Sequence, residues 1–132
     1  MSQIGIRVTP LSAAVGAVIS GVDLAAALND DDFAANRQAF LEHGAIFFRE
    51  QQLSPERHIA FTRRWAPIVI NRFFKAALGY PEIVEIRKEP DQTTNFGGDW
   101  HMDHSDDEVP AMDRRSWRTN RLRAVATRCS PA

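Results

Sequence analysis

Apolar positions in this chain fall into short clusters separated by turn residues. Ile4 to Val8 alternates apolar and polar, which predicts a short strand. Ala17-Val18-Ile19, bounded by Gly16 and by Ser20-Gly21, predicts a second. Asn29 or Asp30 has the character of an N-cap, with acidic residues in the turn that follows. A helix is expected from there to about His43, with Phe33, Arg37, Phe40 and Leu41 near one face, and Gly44 closing it. Ala45-Ile46-Phe47-Phe48 is a compact apolar run that predicts a buried strand. Ser54-Pro55-Glu56 opens a second helix, with Ser as N-cap and Pro in the first turn. His58, Phe61 and Trp65 form a helical stripe on it, read as core, and Pro67 stops it. Residues 68–77 read as loop or irregular strand. Ile83-Val84-Glu85-Ile86 predicts a strand, Glu89 to Thr94 a polar loop, and strand character returns near Trp100. The pattern predicts a β-rich α+β fold with helices packed on one side.

Composition narrows the class. The 132 residues are 44% hydrophobic and 25% charged, an ordinary globular balance. No apolar run approaches a membrane span and the N-terminus lacks a signal pattern, so the expectation is a cytoplasmic protein without membrane partners. The single cysteine, Cys129, excludes an internal disulfide. The net charge of −1 conceals an asymmetry. Residues 1–112 hold ten Lys+Arg and sixteen Asp+Glu, whereas residues 113–132 hold six Arg and one Asp.

The richest chemistry lies in Asn95-Phe96-Gly97-Gly98-Asp99-Trp100-His101-Met102-Asp103. His101 and Asp103 are two positions apart, so on a strand both face the same side and can converge on one ion. Such a pair supplies two of the three ligands of a 2-His-1-carboxylate iron site. His104, Asp106, Asp107 and Glu108 follow no calcium-loop order and are expected to form a solvated acidic turn. His58 is expected to be a helix-face residue rather than a ligand.

Four segments together resemble the taurine catabolism dioxygenase (TauD/TfdA) family of Fe(II)- and 2-oxoglutarate-dependent oxygenases. Thr9-Pro10-Leu11 with Gly16 to Leu24 resembles the family's opening. His43-Gly44-Ala45-Ile46-Phe47-Phe48-Arg49 resembles its first core strand. Phe61 to Pro67 resembles the helix end that often reads F-x-R-x-F-G. Trp100-His101-Met102-Asp103 matches the metal motif W-H-x-D. The resemblance implies a double-stranded β-helix, a jelly-roll-like barrel, of which residues 1–112 are the N-terminal part. It implies Fe(II) held by His101, Asp103 and a distal histidine, with 2-oxoglutarate as cosubstrate. O2 and a small organic acid or sulfonate would be the other reactants. Intact relatives are expected to be homo-oligomers.

Asn95 sits where family members place polar substrate or cosubstrate contacts. Taurine-specific members place a histidine in the loop after the second helix, and an ungapped match puts Asn71 there, beside Arg72. That departure weighs against taurine itself, while a small anionic organic acid or sulfonate stays the expected substrate class. The chain is too short for the whole fold, so the distal histidine and the arginine that holds 2-oxoglutarate are expected to be missing. The 132-residue product is expected to fold poorly and not to turn over.

The resemblance stops after Met112, and residues 113–132 read as an out-of-frame tail. Read one base earlier, each new codon is the last base of one codon plus the first two of the next. Met112 is ATG and Asp113 begins GA, so the first shifted codon is GGA, glycine, without choice. Trp117 followed by a CGN codon for Arg118 gives GCG, alanine. The other positions permit Gly-Ser-Thr-Ile-Leu-Ala-Asn-Glu-Ser-Pro-Pro-Gly-Gly-Gly-Asp-Thr-Leu-Phe-Ala. The family continues as G-S-x-L-x-A-x-E-x-P-P-x-G-G-D-T-L-F. The family threonine that touches 2-oxoglutarate would fall where Arg128 now stands. The competing reading is a small non-enzymatic domain with a basic C-terminal interaction tail. A nucleic-acid-binding arm would use the arginines and Trp117, but no recognised motif accompanies them.

Overall fold

The computed structural model describes residues 5–71, 74–87, 89, 91–94, 99–100, 108 and 114–117. Its organising unit is a strand, helix and parallel strand. Strand β2 (Ala17–Ser20) is central, strand β1 (Arg7–Pro10) pairs with it antiparallel, and β3 (Ile46–Phe48) pairs with it parallel. Parallel neighbours need a crossover, and helix α1 (Asp30–His43) supplies it. Ala17 is fully buried and Ile19 is 2% exposed, so alternate residues of β2 form the floor on which α1 packs.

β1 lies on the outside, with every residue exposed and Pro10 at its end, a position where a missing N–H costs least. The predicted strand at Ile4 to Val8 is thus displaced. Ile4 lies outside the described residues, and the observed strand runs to Pro10 because the ladder pairs Pro10 with Ala17. Cross-strand pairing, not local alternation, sets its ends.

Helix α1 begins and ends where its caps dictate. The Asn29 side chain accepts from the Asp32 backbone N–H at 2.7 Å, and Asp30, Asp31 and Asp32 sit in the electropositive first turn. At the other end Gly44 takes a left-handed φ of 68° and its N–H donates to the Phe40 carbonyl at 2.8 Å. The buried face differs from the one expected. Leu41 is 69% exposed and Arg37 is also exposed, whereas Asn36 and Ala39 are buried. Small or compact side chains let the helix approach the Ala17 and Ile19 floor, which turns the apolar stripe away from Leu41. Asn36 Nδ2 donates to the Asp32 carbonyl at 2.9 Å within its own helix.

β3 is short and only half covered. It has β2 on one side and, among the described residues, no strand on the other, so Phe47 is 37% exposed. The strand expected to be buried is therefore, among the described residues, an edge strand. A side-chain clamp follows it. Gln51 Oε1 accepts from Leu24 N–H at 2.7 Å, and Nε2 donates to the carbonyls of Val22 and Arg49. These bonds tie the segment leaving β2 to the segment leaving β3.

Helix α2 (Pro55–Arg63) starts as expected, with the Ser54 hydroxyl accepting from Arg57 N–H. It ends four residues before Pro67. Arg64 N–H and Trp65 N–H bond back to Phe61 and Thr62, a tightened last turn that frees the chain ahead of the proline. A hairpin of β4 (Ala76–Ala77) and β5 (Tyr80–Val84) follows, turning at Gly79 with φ 80°. Here β5 starts earlier than predicted, because the turn fixes its first residue, and Ile86 is left exposed once β4 runs out of partners. Arg63–Glu82, at 2.8 Å, and a Tyr80 hydroxyl bond to Glu56 hold the hairpin to α2.

The described part is thus two small sheets and two helices, an α+β arrangement in which helices of 14 and 9 residues outweigh the short strands. The strand-rich weighting expected from sequence does not describe these residues.

The caps of α1 predict two measurable losses. Asn29→Ala is expected to cost about 1 kcal/mol. Gly44→Ala is expected to cost about 1–2 kcal/mol, because alanine is strained in the left-handed region. Urea unfolding with an unchanged m-value checks both; no shift in midpoint for either would contradict the cap assignments.

Candidate functional site

His101 and Asp103, expected as metal ligands, lie outside the described residues, as do Asn95 and Arg72. The chain approaches them from β5 through a polar turn. In it Gln92 N–H donates to the Glu89 carbonyl at 3.1 Å, and Gln92 Nε2 donates to the Thr94 carbonyl at 3.1 Å. Trp100, next to the histidine, is 97% exposed. Glu108 is exposed, while His104, Asp106 and Asp107 lie outside the described residues. Asn71 is half-buried at the end of the first described run. Among the described residues, no three His, Cys, Asp or Glu side chains gather as a metal site.

The described residues do build an apolar cleft of about 250 Å³ between α1, β3 and α2. Its walls derive from the aromatic residues of the sequence pattern. Phe40 comes from α1, Phe48 from β3, Phe61 from α2, and Trp65 from the turn after it, while Phe33 of α1 packs against Trp65. The rings meet edge to face. Trp65 lies 5.3 Å from Phe33, 5.5 Å from Phe40 and 6.0 Å from Phe61, and Phe48 lies 5.9 Å from Phe61. That geometry sets the positive ring edges against the negative faces. The stripe of His58, Phe61 and Trp65 expected as core does gather here.

Two arginines frame the cluster. Arg64 donates to the Leu28 carbonyl at 2.5 Å and to Asp30 at 2.6 Å, with its guanidinium 4.3 Å from the Phe33 ring centre. It joins the end of α2 to the start of α1. Arg115 lies 4.9 Å from the Trp65 ring centre, a cation–π distance. Residues Arg114 to Trp117 form one wall of the cleft. Neither the Gln51 clamp nor the seating of Arg115 carried a sequence signal, since both depend on residues distant in the chain.

His58 is the one imidazole among the described residues lining this cleft. Burial pushes its pKa below the ordinary histidine value of 6.5, and the Arg115 charge pushes it the same way. Among the described residues lining the cleft there is no carboxylate to pair with it, so they can hold an apolar group but offer no acid–base pair.

The lowered pKa has a definite sign. Neutral His58 is the form the fold tolerates, so the unfolded chain binds the proton more readily. Its contribution to stability is present above the ordinary pKa of 6.5 and is lost as pH falls from there through the lower, folded value. His58→Leu is expected to flatten the dependence of Tm on pH in that window. A variant that loses stability on acidification as steeply as the parent would contradict the assignment.

Comparison with known proteins places this architecture. The chain matches the family described as taurine catabolism dioxygenase TauD, TfdA family over residues 7–112. Over 66 residues, 50% of this chain, it is 39% identical to an (S)-phenoxypropionate/alpha-ketoglutarate-dioxygenase of Delftia acidovorans, of which the match covers 22%. A solved structure from Burkholderia xenovorans, assigned as an alpha-ketoglutarate-dependent taurine dioxygenase, is similar with a TM-score of 0.58 at 37% identity. That likeness covers 64% of this chain and 32% of that one. A taurine dioxygenase structure from Burkholderia xenovorans gives 0.53 at 38% identity, over 58% of this chain and 27% of that one. The chain thus spans a minor part of the length of these relatives. Among the described residues no helix is long and apolar enough to cross a membrane. With more than half of its length matched, the chain belongs to the TauD/TfdA family of taurine catabolism dioxygenases.

Proposed function

We propose that residues 1–112 are the N-terminal part of an Fe(II)- and 2-oxoglutarate-dependent dioxygenase that hydroxylates a small organic acid or sulfonate. The observation that carries this is the family match over residues 7–112, which includes the Trp100-His101-Met102-Asp103 motif. An imidazole nitrogen and a carboxylate oxygen are donors suited to Fe(II). His101 and Asp103 would hold one side of the ion, leaving the remaining protein ligand to a distal histidine. When bound, iron and 2-oxoglutarate supply the oxidising chemistry. The polypeptide's share is to orient the reactants and keep water from the reacting carbon.

The relatives favour an anionic substrate. One is named for a phenoxypropionate, a carboxylate, and others for taurine, a sulfonate. Asn95, Asn71 and Arg72 are the residues proposed to contact it, with Arg72 suited to pair with the anion. Asn71 stands where taurine-specific members carry a histidine, which favours a carboxylate over taurine.

Residues 113–132 are proposed to be an out-of-frame tail. Three features support this: the family match ends at residue 112, the charge balance reverses there, and the frame one base earlier permits a family-like continuation. Loss of one G from an ATGGGA run accounts for all three. The double-stranded β-helix is the fold proposed for the whole enzyme.

Sequencing the gene across the Met112 codon and downstream decides the frame. A frame continuing G-S-x-L and reaching a distal histidine and arginine is expected; its absence would contradict the proposal. The protein from the restored frame is expected to release succinate from 2-oxoglutarate, dependent on Fe(II), O2 and an aryloxy acid. His101→Ala or Asp103→Ala should lower that rate by more than about 100-fold, the upper end of what loss of an outer-shell partner costs. The 132-residue chain is expected to release none. Turnover that persists without His101 would remove it from the metal site.

A further inference from the structure

We propose that a single water molecule is bound in the interior between helix α1 and the turn after α2, held by the Asn36 side-chain oxygen and the Trp65 indole N–H. Asn36 is fully buried, and its Oδ1 has no hydrogen-bond partner among the described residues. Trp65 Nε1 is buried and lacks a partner among them in the same way. Leaving a buried donor or acceptor unsatisfied costs more than a made bond returns, so each of these atoms calls for a ligand.

The two atoms are complementary. An indole N–H can only donate, and an amide oxygen can only accept. The orientation of the amide is fixed by its other half. Asn36 Nδ2 donates to the Asp32 carbonyl at 2.9 Å, and a carbonyl has no proton to offer Oδ1 if the group were turned over. Oδ1 is therefore the atom left to the interior.

Helical spacing brings donor and acceptor to one place. Phe33, Asn36 and Phe40 stand at i, i+3 and i+7 of α1 and share a face. The Trp65 ring lies 5.3 Å from Phe33 and 5.5 Å from Phe40, so it spans the stretch of helix that carries Asn36. A direct bond would satisfy both atoms, but none forms between them. One water joins them, accepting from Nε1–H and donating to Oδ1, which gives it two of the roughly two to four polar partners that a buried water takes. The cleft does not supply the partner instead. Asn36 is not among the described residues lining it, so a group entering there would not reach the amide oxygen. Asn36 is thus a positioning residue. Through the water it fixes the rotation of the indole that lines the cleft and carries Arg115 over its face.

The test is made by NMR on the 132-residue chain labelled with nitrogen-15, where iron, cosubstrate and turnover play no part. Trp100→Phe and Trp117→Phe, both at exposed positions, assign the Trp65 indole signal by elimination. The Trp65 indole proton is expected to exchange with solvent at least about tenfold more slowly than that of Trp100. It is also expected to show a dipolar cross-peak to water, with the sign of a molecule that tumbles with the protein. The Asn36 side-chain amide protons should show the same contact. Asn36→Leu, which keeps the bulk and removes the acceptor, is expected to lose the Trp65 cross-peak while its indole exchange stays slow. Absence of the cross-peak in the parent overturns the site, as does indole exchange as fast as that of Trp100, since the site then does not form. A cross-peak that survives in Asn36→Leu, or one seen from Trp65 and not from the Asn36 amide, overturns the role of Asn36. The parent amide contact decides that role if Asn36→Leu does not fold.

Discussion

Trp65 is the residue on which the described architecture depends. Its ring touches Phe33 and Phe40 of α1 and Phe61 of α2, and Phe61 passes the contact on to Phe48 of β3. Fully buried aliphatic side chains are few, with Ile19 the largest, so burial at the β2 floor alone cannot hold two helices in register. The edge-to-face cluster does so by joining three elements through one side chain. Arg64 completes the link by tying the end of α2 to the first turn of α1, a task that needs its planar fork as well as its charge. Truncating Trp65 would therefore separate elements as well as open a void.

This dependence explains what could be read from the residues in order. Both helix starts were legible because Asn29 and Ser54 act on backbone groups three residues away, and Gly44 was legible for the same local reason. The stripe of Phe61 and Trp65 was legible as core from spacing. The inward face of α1 was not, because Arg37 and Leu41 are exposed for a reason located in β2: the helix approaches on Asn36 and Ala39. The ends of β1 and β5 were misplaced because ladders and turns set them. The Gln51 clamp spans Val22, Leu24 and Arg49, and no local pattern announces a bond across that separation.

The candidate site divides along the same line. The expectation for His101 and Asp103 rests on a two-residue spacing that would set both on one face of a strand, a purely local rule. A three-ligand metal centre is not a local object. Its third ligand must come from an element brought near by the fold, and the described residues contain no such cluster. The motif thus specifies half a site in the way β3 specifies half a sheet.

Charge brings these two incomplete features together. An apolar cleft stands beside the β3 edge that has no partner strand among the described residues, and residues 114–117, drawn from the strongly basic end of the chain, line that cleft. In a self-consistent sequence, side-chain chemistry, strand propensity and burial agree at each position. Through most of residues 5–71 they do: caps meet helix ends and aromatic rings meet one another. Beyond Met112, where the family match has stopped, Arg115 sets its guanidinium 4.9 Å from the Trp65 ring centre, so the basic end of the chain meets the same ring that joins the two helices.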